Sequence, residues 1–187
     1  KNELIKLKID TDNKNFLFEK DEHPRSNLNL EDLKKLKTVF KENGTVTAGN
    51  SSGINDGAAA TILMSREEAE LRDVEPLAKV VSWATCGVEP SLMGLGPIKA
   101  VNLALEKAEW ESEAIDLFEV NEAFAAQSIA VIRDLKISKE IVNVNGGAIA
   151  LGHPIGASGT RILVTLIHEM IRQNKSKGCA TLCIGGG

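Results

Sequence analysis

The chain has 187 residues, 43% hydrophobic and 26% charged, an ordinary composition for a globular protein with a core of its own. Twenty-two basic against twenty-six acidic residues give a net charge of −4, so no general attraction draws the chain to nucleic acid or to an anionic membrane, and a phosphorylated ligand would need a local basic patch. No apolar run approaches the roughly 20 residues of a membrane helix, and no signal segment opens the chain, which predicts a soluble, intracellular protein.

The first 44 residues are rich in Lys, Asn, Asp and Glu and predict one short helix, over 30–40, behind the cap-like Asn29. Residues 44–57 are small and turn-rich, and they lead into the apolar run 58–64, a buried segment whose periodicity fits strand or helix equally. The second half alternates between the two periods. A strand is predicted over 79–84. A helix follows over 97–108, with Pro97 at its first position and Ile98, Val101, Leu105 and Ala108 on one face. Strands at 117–120, 141–144 and 178–184 are separated by helices at 122–135 and 158–173. The last helix is the most strongly periodic, with Ile162, Leu163, Leu166, Ile167, Met170 and Ile171 in one stripe. The pattern is α/β with a sheet at least partly parallel. In such sheets ligands sit beyond the carboxyl ends of strands, which directs attention to Asn121, to the glycine-rich stretch after Val144 and to Cys183.

Asn121 fits two roles, N-cap of the following helix or an amide aimed at a ligand oxygen, and the two can hold for different atoms. His153 stands in Asn145-Gly146-Gly147-Ala148-Ile149-Ala150-Leu151-Gly152-His153-Pro154-Ile155-Gly156-Ala157-Ser158-Gly159, where glycines allow close backbone approach and Pro154 directs the chain beside the imidazole. That suits a general base, against the alternative of a structural histidine in a tight turn. His168, on a helix face with Arg161, Thr165 and Arg172, and His23, in the polar leader, are expected to be solvated. Phosphate-loop readings fail: Gly156 is followed by Ala157 rather than lysine, and Gly94-Leu95-Gly96 lacks the third glycine of a dinucleotide fingerprint.

Three cysteines, an odd count, fit a reducing compartment. Cys179 and Cys183 would lie about 13 Å apart along a strand, too far for a disulfide or a shared metal ion. Cys86 and Cys179 read as packing. Cys183, at a strand's carboxyl end before glycines with free amides, could be a nucleophile or base beside an oxyanion hole. Cysteine, histidine and asparagine from successive strand ends suit acyl-group chemistry, by a cysteine hydrolase or a thioester enzyme.

Asn121-Glu122-Ala123-Phe124, Gly146-Gly147-Ala148-Ile149-Ala150-Leu151-Gly152-His153-Pro154 and Cys183-Ile184-Gly185-Gly186-Gly187 resemble the three carboxyl-half signatures of the thiolases. Gly49-Asn50-Ser51-Ser52-Gly53-Ile54-Asn55-Asp56-Gly57 resembles their coenzyme A loop. The resemblance implies a thiolase-like α/β fold, a mixed sheet with helices on both faces. This chain would hold the carboxyl-terminal half plus part of the loop domain: 1–54 ending the loop domain, 55–76 closing the amino-terminal half, and 77–187 forming the carboxyl-terminal half up to its last strand. A start without methionine and a stop at three glycines agree with a piece of a longer protein.

The activity implied is the reversible Claisen condensation of two acetyl-CoA to acetoacetyl-CoA and CoA. His153 would activate the acyl-accepting cysteine and help bind the thioester oxygen, and Asn121 would position a water in that first oxyanion hole. Cys183 would be the acid/base acting on the second acetyl-CoA, with the Gly185 amide lining the second hole. Ser52 and Ala48 would contact the pantetheine arm, Ala123 and Phe124 would line the pocket, and Arg25 would lie near the nucleotide. The acyl-accepting cysteine belongs to the family's amino half, and nothing here matches its motif. Asn145-Gly146-Gly147, Gly156-Ala157-Ser158-Gly159 and Ser82-Trp83-Ala84-Thr85 resemble the short-chain, acetoacetyl-CoA type. The resemblance further implies no metal or redox cofactor, a homotetramer, and a cytoplasmic location with mitochondria as the alternative. Two other readings stay open: a 3-ketoacyl-CoA thiolase of fatty-acid degradation, and a non-catalytic thiolase-like fragment that binds CoA.

Overall fold

The computed structural model describes residues 3–12 and 14–186. The polar leader contains an element its composition did not announce, an antiparallel hairpin of β1 (Leu7–Thr11) and β2 (Lys14–Phe18). Opposed residues share a face, so Leu7, Ile9, Phe16 and Phe18 gather on one side while Lys8, Asp10, Asn15 and Leu17 take the other. The helix expected over 30–40 is one turn only, α1 (Leu30–Lys34). Asn29 caps it as expected, accepting from the Asp32 N–H, but the chain then leaves the helix to bond Val39 N–H to the Val46 carbonyl at 3.0 Å.

Residues 58–64 are neither helix nor paired strand, and they are not buried: Ile62 and Leu63 are 87% and 75% exposed. The strand expected over 79–84 is likewise unpaired, with Val80, Val81 and Trp83 exposed. An apolar run becomes a strand only where a neighbouring strand completes its ladder, and no strand pairs with these runs among the described residues. α2 (Arg66–Leu71) sits between them, capped by the Ser65 hydroxyl.

Beyond a short 3₁₀ turn at Pro90–Leu95 the chain enters the packed part of the molecule. α3 (Gly96–Ala108) carries Pro97 in its first turn and buries Val101 and Leu105. β3 (Leu117–Val120) is buried along its whole length and pairs in parallel with β4 (Gly178–Thr181), Val120 opposite Thr181. Phe118 and Val120 face a cluster with Val101 and Leu105 of α3 and with Val131 and Leu135. Each fully buried side chain of this size contributes about 1.5–3 kcal/mol. The opposite face of the pair meets α6 (Ser158–Gln173): Arg161 reaches Glu119, and a Cβ at Gly178 would crowd Met170 and Leu166. Helices therefore cover both faces of the parallel pair.

The expected third strand over 141–144 shrinks to one bridge, Phe118 to Val142. Asn143 turns left-handed (φ 47°); its backbone N–H donates to Phe118 O at 2.9 Å, and its side chain extends the pairing, Oδ1 accepting from Val120 N–H and Nδ2 donating to Val120 O. α4 (Ala125–Asp134) starts three residues later than periodicity placed it, and β4 ends at Thr181 rather than 184. α5 (Ala148–Leu151) is a single turn.

α6 has the predicted bounds but not the predicted burial. Ile162 and Leu166 are buried, yet so are Thr165 and Glu169, while Ile171 is 54% exposed. His168 is half-buried rather than solvated. Glu169 can be buried because Asn145 Nδ2 (2.9 Å), Arg172 Nε (2.7 Å) and Gln173 donate to it. Those bonds hold its carboxyl down at about 2. No helix among the described residues is long and apolar enough to cross a membrane.

Candidate active site

The site is assembled where β3 and β4 end. Asn121 follows β3, is 1% exposed, and donates its backbone N–H to Thr181 O at 3.0 Å. It does not cap α4. The three residues after it run alongside the turn-rich segment 49–57: Ser51 bridges Phe124, Ser52 N–H reaches Ala123 O at 3.0 Å, and Ala125 N–H reaches Asn50 O at 2.9 Å. The same segment holds His153, whose N–H donates to Gly53 O at 2.9 Å. Three stretches far apart in sequence thus converge on one edge.

At their junction Asn121 Nδ2 lies 3.3 Å from His153 Nε2. The other ring nitrogen, Nδ1, lies 2.5 Å from Ser158 Oγ. Ser158 commits its own proton to Pro154 O at 3.0 Å, so its oxygen accepts from Nδ1–H. The neutral ring therefore carries its proton on Nδ1 and presents a bare Nε2 to the Asn121 amide. Burial, and secondarily the positive charge of Arg161, hold the His153 pKa below its ordinary 6.5. An imidazole with a bare Nε2 at this junction can accept a proton. Asn121 Oδ1 is buried without a partner, an acceptor free for a donor brought by water or ligand.

Cys183 stands two residues beyond Thr181 at this same end of the sheet, half-buried, and burial pushes its thiol upward against a smaller opposing pull from its own backbone N–H. Gly185 follows in an exposed position and Gly186 turns left-handed (φ 99°). Cys179 packs against the core cluster with its pKa pushed up to about 11, and Cys86 points its thiol at Gly96 O (3.4 Å). All three cysteines are free.

The other predicted residues divide. Ser52, Ala123 and Phe124 are half-buried along the zipped segments, and the Phe124 ring meets Phe40 edge-on at 5.8 Å. Ala48 is exposed nearby in sequence. Arg25 is exposed and held by no ion pair among the described residues. His23, expected to be solvated, is half-buried with its ring against Gly53, where an added Cβ would come within 2.6 Å of it. Among the described residues no three His, Cys, Asp or Glu side chains converge to hold a metal ion.

Several supporting residues were not foreseen. Ser158 stands in the sequence as a helix start and within Gly156-Ala157-Ser158-Gly159, and neither pattern announces its contact with the His153 ring. Glu122 accepts from Asn143 Nδ2 (3.1 Å) and from Ile149 N–H (3.2 Å), and a Cβ at Gly147 would land on its carboxylate. Gly152 combines φ 98° with an Asn55 side chain where its Cβ would be. The glycines thus make room for polar side chains. Beneath them Glu119, 3.6 Å from Arg161, has its carboxyl raised to about 7, by burial first and then by Glu3, Glu122 and Glu169, against the pull of Arg161.

Comparison with known proteins shows the family. "Thiolase, N-terminal domain" matches residues 1–67 and "Thiolase, C-terminal domain" matches residues 74–187. The chain belongs to the thiolase family, and its fold is the thiolase fold. Among curated relatives, the acetyl-CoA acetyltransferase of Pseudomonas aeruginosa is 58% identical over 91% of this chain and 43% of its own length. That of Syntrophomonas wolfei is 57% identical over 100% of this chain and 48% of its own. The Bacillus anthracis acetyl-CoA acetyltransferase structure superposes with a TM-score of 0.97 at 48% identity, covering 100% of this chain and 47% of that one. A human mitochondrial 3-ketoacyl-CoA thiolase in complex with CoA gives 0.85 at 43% identity, over 91% of this chain and 43% of that one. The chain spans a little under half the length of the curated relatives it matches.

Proposed function

We propose that the chain is the carboxyl-terminal part of an acetyl-CoA acetyltransferase, with 1–54 ending the loop domain, 55–76 closing the amino-terminal half and 77–187 forming the carboxyl-terminal half. The observation that carries this reading is the Ser158–His153–Asn121 relay, which leaves a bare Nε2 in a site bordered by the loop 49–57. The acyl-accepting cysteine is not among Cys86, Cys179 and Cys183 and belongs to the amino-terminal half. His153 takes the proton from that thiol; the thiolate attacks the acetyl-CoA carbonyl, and the departing CoA sulfur takes the proton back. A water on the orphaned Asn121 Oδ1, with His153, stabilises the oxyanion of this step. For condensation, the Cys183 thiolate removes a methyl proton from the second acetyl-CoA; the carbanion forms the new C–C bond at the acyl-cysteine carbonyl, and the leaving cysteine thiolate takes that proton from Cys183, which restores the Cys183 thiolate. A thiol pushed up by burial gives a more basic thiolate, which suits proton removal from carbon. The Gly185 amide faces the enolate oxygen. Ser52, Ala48, Ala123 and Phe124 contact the pantetheine arm, and Arg25 lies near the nucleotide.

This reading includes a homotetramer in the cytoplasm that takes CoA thioesters as substrates and uses no metal or redox cofactor. The names of the curated relatives support the short-chain substrate, and the human 3-ketoacyl-CoA thiolase keeps the longer-chain reading as the rival. Thiolysis rates of the full-length chain on acetoacetyl-CoA and on a long-chain 3-ketoacyl-CoA decide between them; a preference for the longer substrate defeats the assignment. The 187 residues alone are expected to bind CoA without turnover, and measured thiolysis by them would overturn the placing of the acyl-accepting cysteine.

A further inference from the structure

The pair Asn121–His153 is made by two segments with no continuous secondary structure between them, one leaving β3 and one leaving α5. Their 3.3 Å contact is long for N–H···N, so small displacements of either segment decide whether it forms. One side chain joins them. Glu122, adjacent to Asn121, sends one carboxylate oxygen to Asn143 Nδ2 and the other to Ile149 N–H in the first turn of α5. Gly147, at the N-cap of α5, offers no side-chain cap, so without Glu122 the Ile149 N–H has no partner. Asn143 in turn holds both backbone groups of Val120, the residue before Asn121.

We propose that Glu122 is a positioning residue whose carboxylate, seated over Gly147, clamps the end of β3 to the His153 loop and thereby sets the Asn121–His153 contact. The proposal rests on the acetyltransferase reading only for its rate measurement. Glu122 touches neither ring nitrogen of His153; it acts through Asn121 on one side and α5 on the other.

Two variants separate geometry from charge. Glu122→Gln keeps the shape but has one acceptor oxygen, so its amide nitrogen opposes either the Asn143 or the Ile149 donor. Gly147→Ala keeps the charge and displaces the carboxylate with a methyl group. The measurements, on the full-length chain, are kcat and KM for thiolysis of acetoacetyl-CoA and the His153 titration followed by NMR, assigned by its loss in His153→Gln. Asn121 donating to Nε2 favours the neutral ring, so losing that bond raises the His153 titration midpoint. Arg161 is the charged group facing His153 and is untouched in both variants. The expected result is a kcat reduced about 10- to 100-fold with KM within about twofold, and a raised midpoint in both variants. An unchanged kcat and midpoint overturn the proposal. A midpoint that falls in Glu122→Gln and stays put in Gly147→Ala also overturns it, because that is the effect of deleting a negative charge alone. If Gly147→Ala does not fold, Glu122→Gln decides by itself. A wild-type chain without thiolase turnover sinks the functional reading, while the titration still decides the clamp.

Discussion

Replacing Ser158 with alanine deletes one oxygen from a position 1% exposed, and the consequences can be followed atom by atom. Alanine is the best helix former, so the first turn of α6 does not suffer. Pro154 O loses the hydroxyl but keeps two backbone donors, Ala157 N–H and Ser158 N–H, each at 2.8 Å. The loss therefore falls on His153, whose Nδ1–H is left without its 2.5 Å acceptor. Either that donor stays unpaired, at about 1–3 kcal/mol, or the proton moves to Nε2 and faces the Asn121 amide, donor against donor. Both outcomes disfavour the bare Nε2 by a similar amount, which predicts acylation slowed about 5- to 150-fold. The assay is the burst of acyl-enzyme from acetyl-CoA in the full-length chain, with KM and the thermal midpoint measured beside it. Burst rates within twofold of wild type, or a loss confined to KM, would refute the tautomer argument.

Cys183→Ser is expected to abolish condensation while leaving the first acyl transfer within a few-fold; loss of acylation as well would show that the two cysteines do not divide the work. Glu119 gives a pH signature. Its carboxyl, raised from 4.5 to about 7, keeps in the folded chain a proton that the unfolded chain releases between those values. Wild-type stability therefore falls as pH rises through that window, by up to about 3 kcal/mol in all, while Glu119→Gln has no such slope. The difference in thermal midpoint between variant and wild type should move in the variant's favour from pH 5 to pH 8, and a constant difference refutes the assignment. Gly152→Ala places a side chain at φ 98°, ψ 165°, a conformation costing about 1–3 kcal/mol outside glycine, and also onto Asn55. Chemical denaturation should show at least that loss, and an unshifted midpoint would mean the turn relaxes.

What the chain's pattern disclosed depended on where its partners lie. α6 has the bounds read from periodicity because sixteen residues of one period leave little choice. Asn121 and His153 were legible as single residues because each breaks an apolar context. Their contact was not legible, since it depends on Ser158 fixing the ring and on the loop 49–57 bonding to both neighbourhoods. Glu169 and Thr165 defeated the apolar stripe because burial on α6 is decided by Asn145 and the sheet rather than by hydropathy. The start of α4 was misplaced because Glu122, a good helix former, spends its carboxylate on Asn143 and Ile149. The hairpin Leu7–Phe18 was hidden by its charged composition, although Leu7, Ile9, Phe16 and Phe18 alternate as a strand pair should.

The loop that carries His153 is tied to α6 at both ends, through Asn145 to Glu169 and through His153 to Ser158. Those anchors are eleven residues apart on the helix, about 16 Å along its axis. The eight steps of chain from 145 to 153 would reach about 27 Å if extended, and the single turn of α5 takes up the difference. The helix therefore acts as a gauge for the loop. Side chains such as the exposed Ala150 are free to drift, but the number of residues between 145 and 153 is not. One residue more or fewer would leave α6 intact and fold a protein whose imidazole no longer meets Asn121.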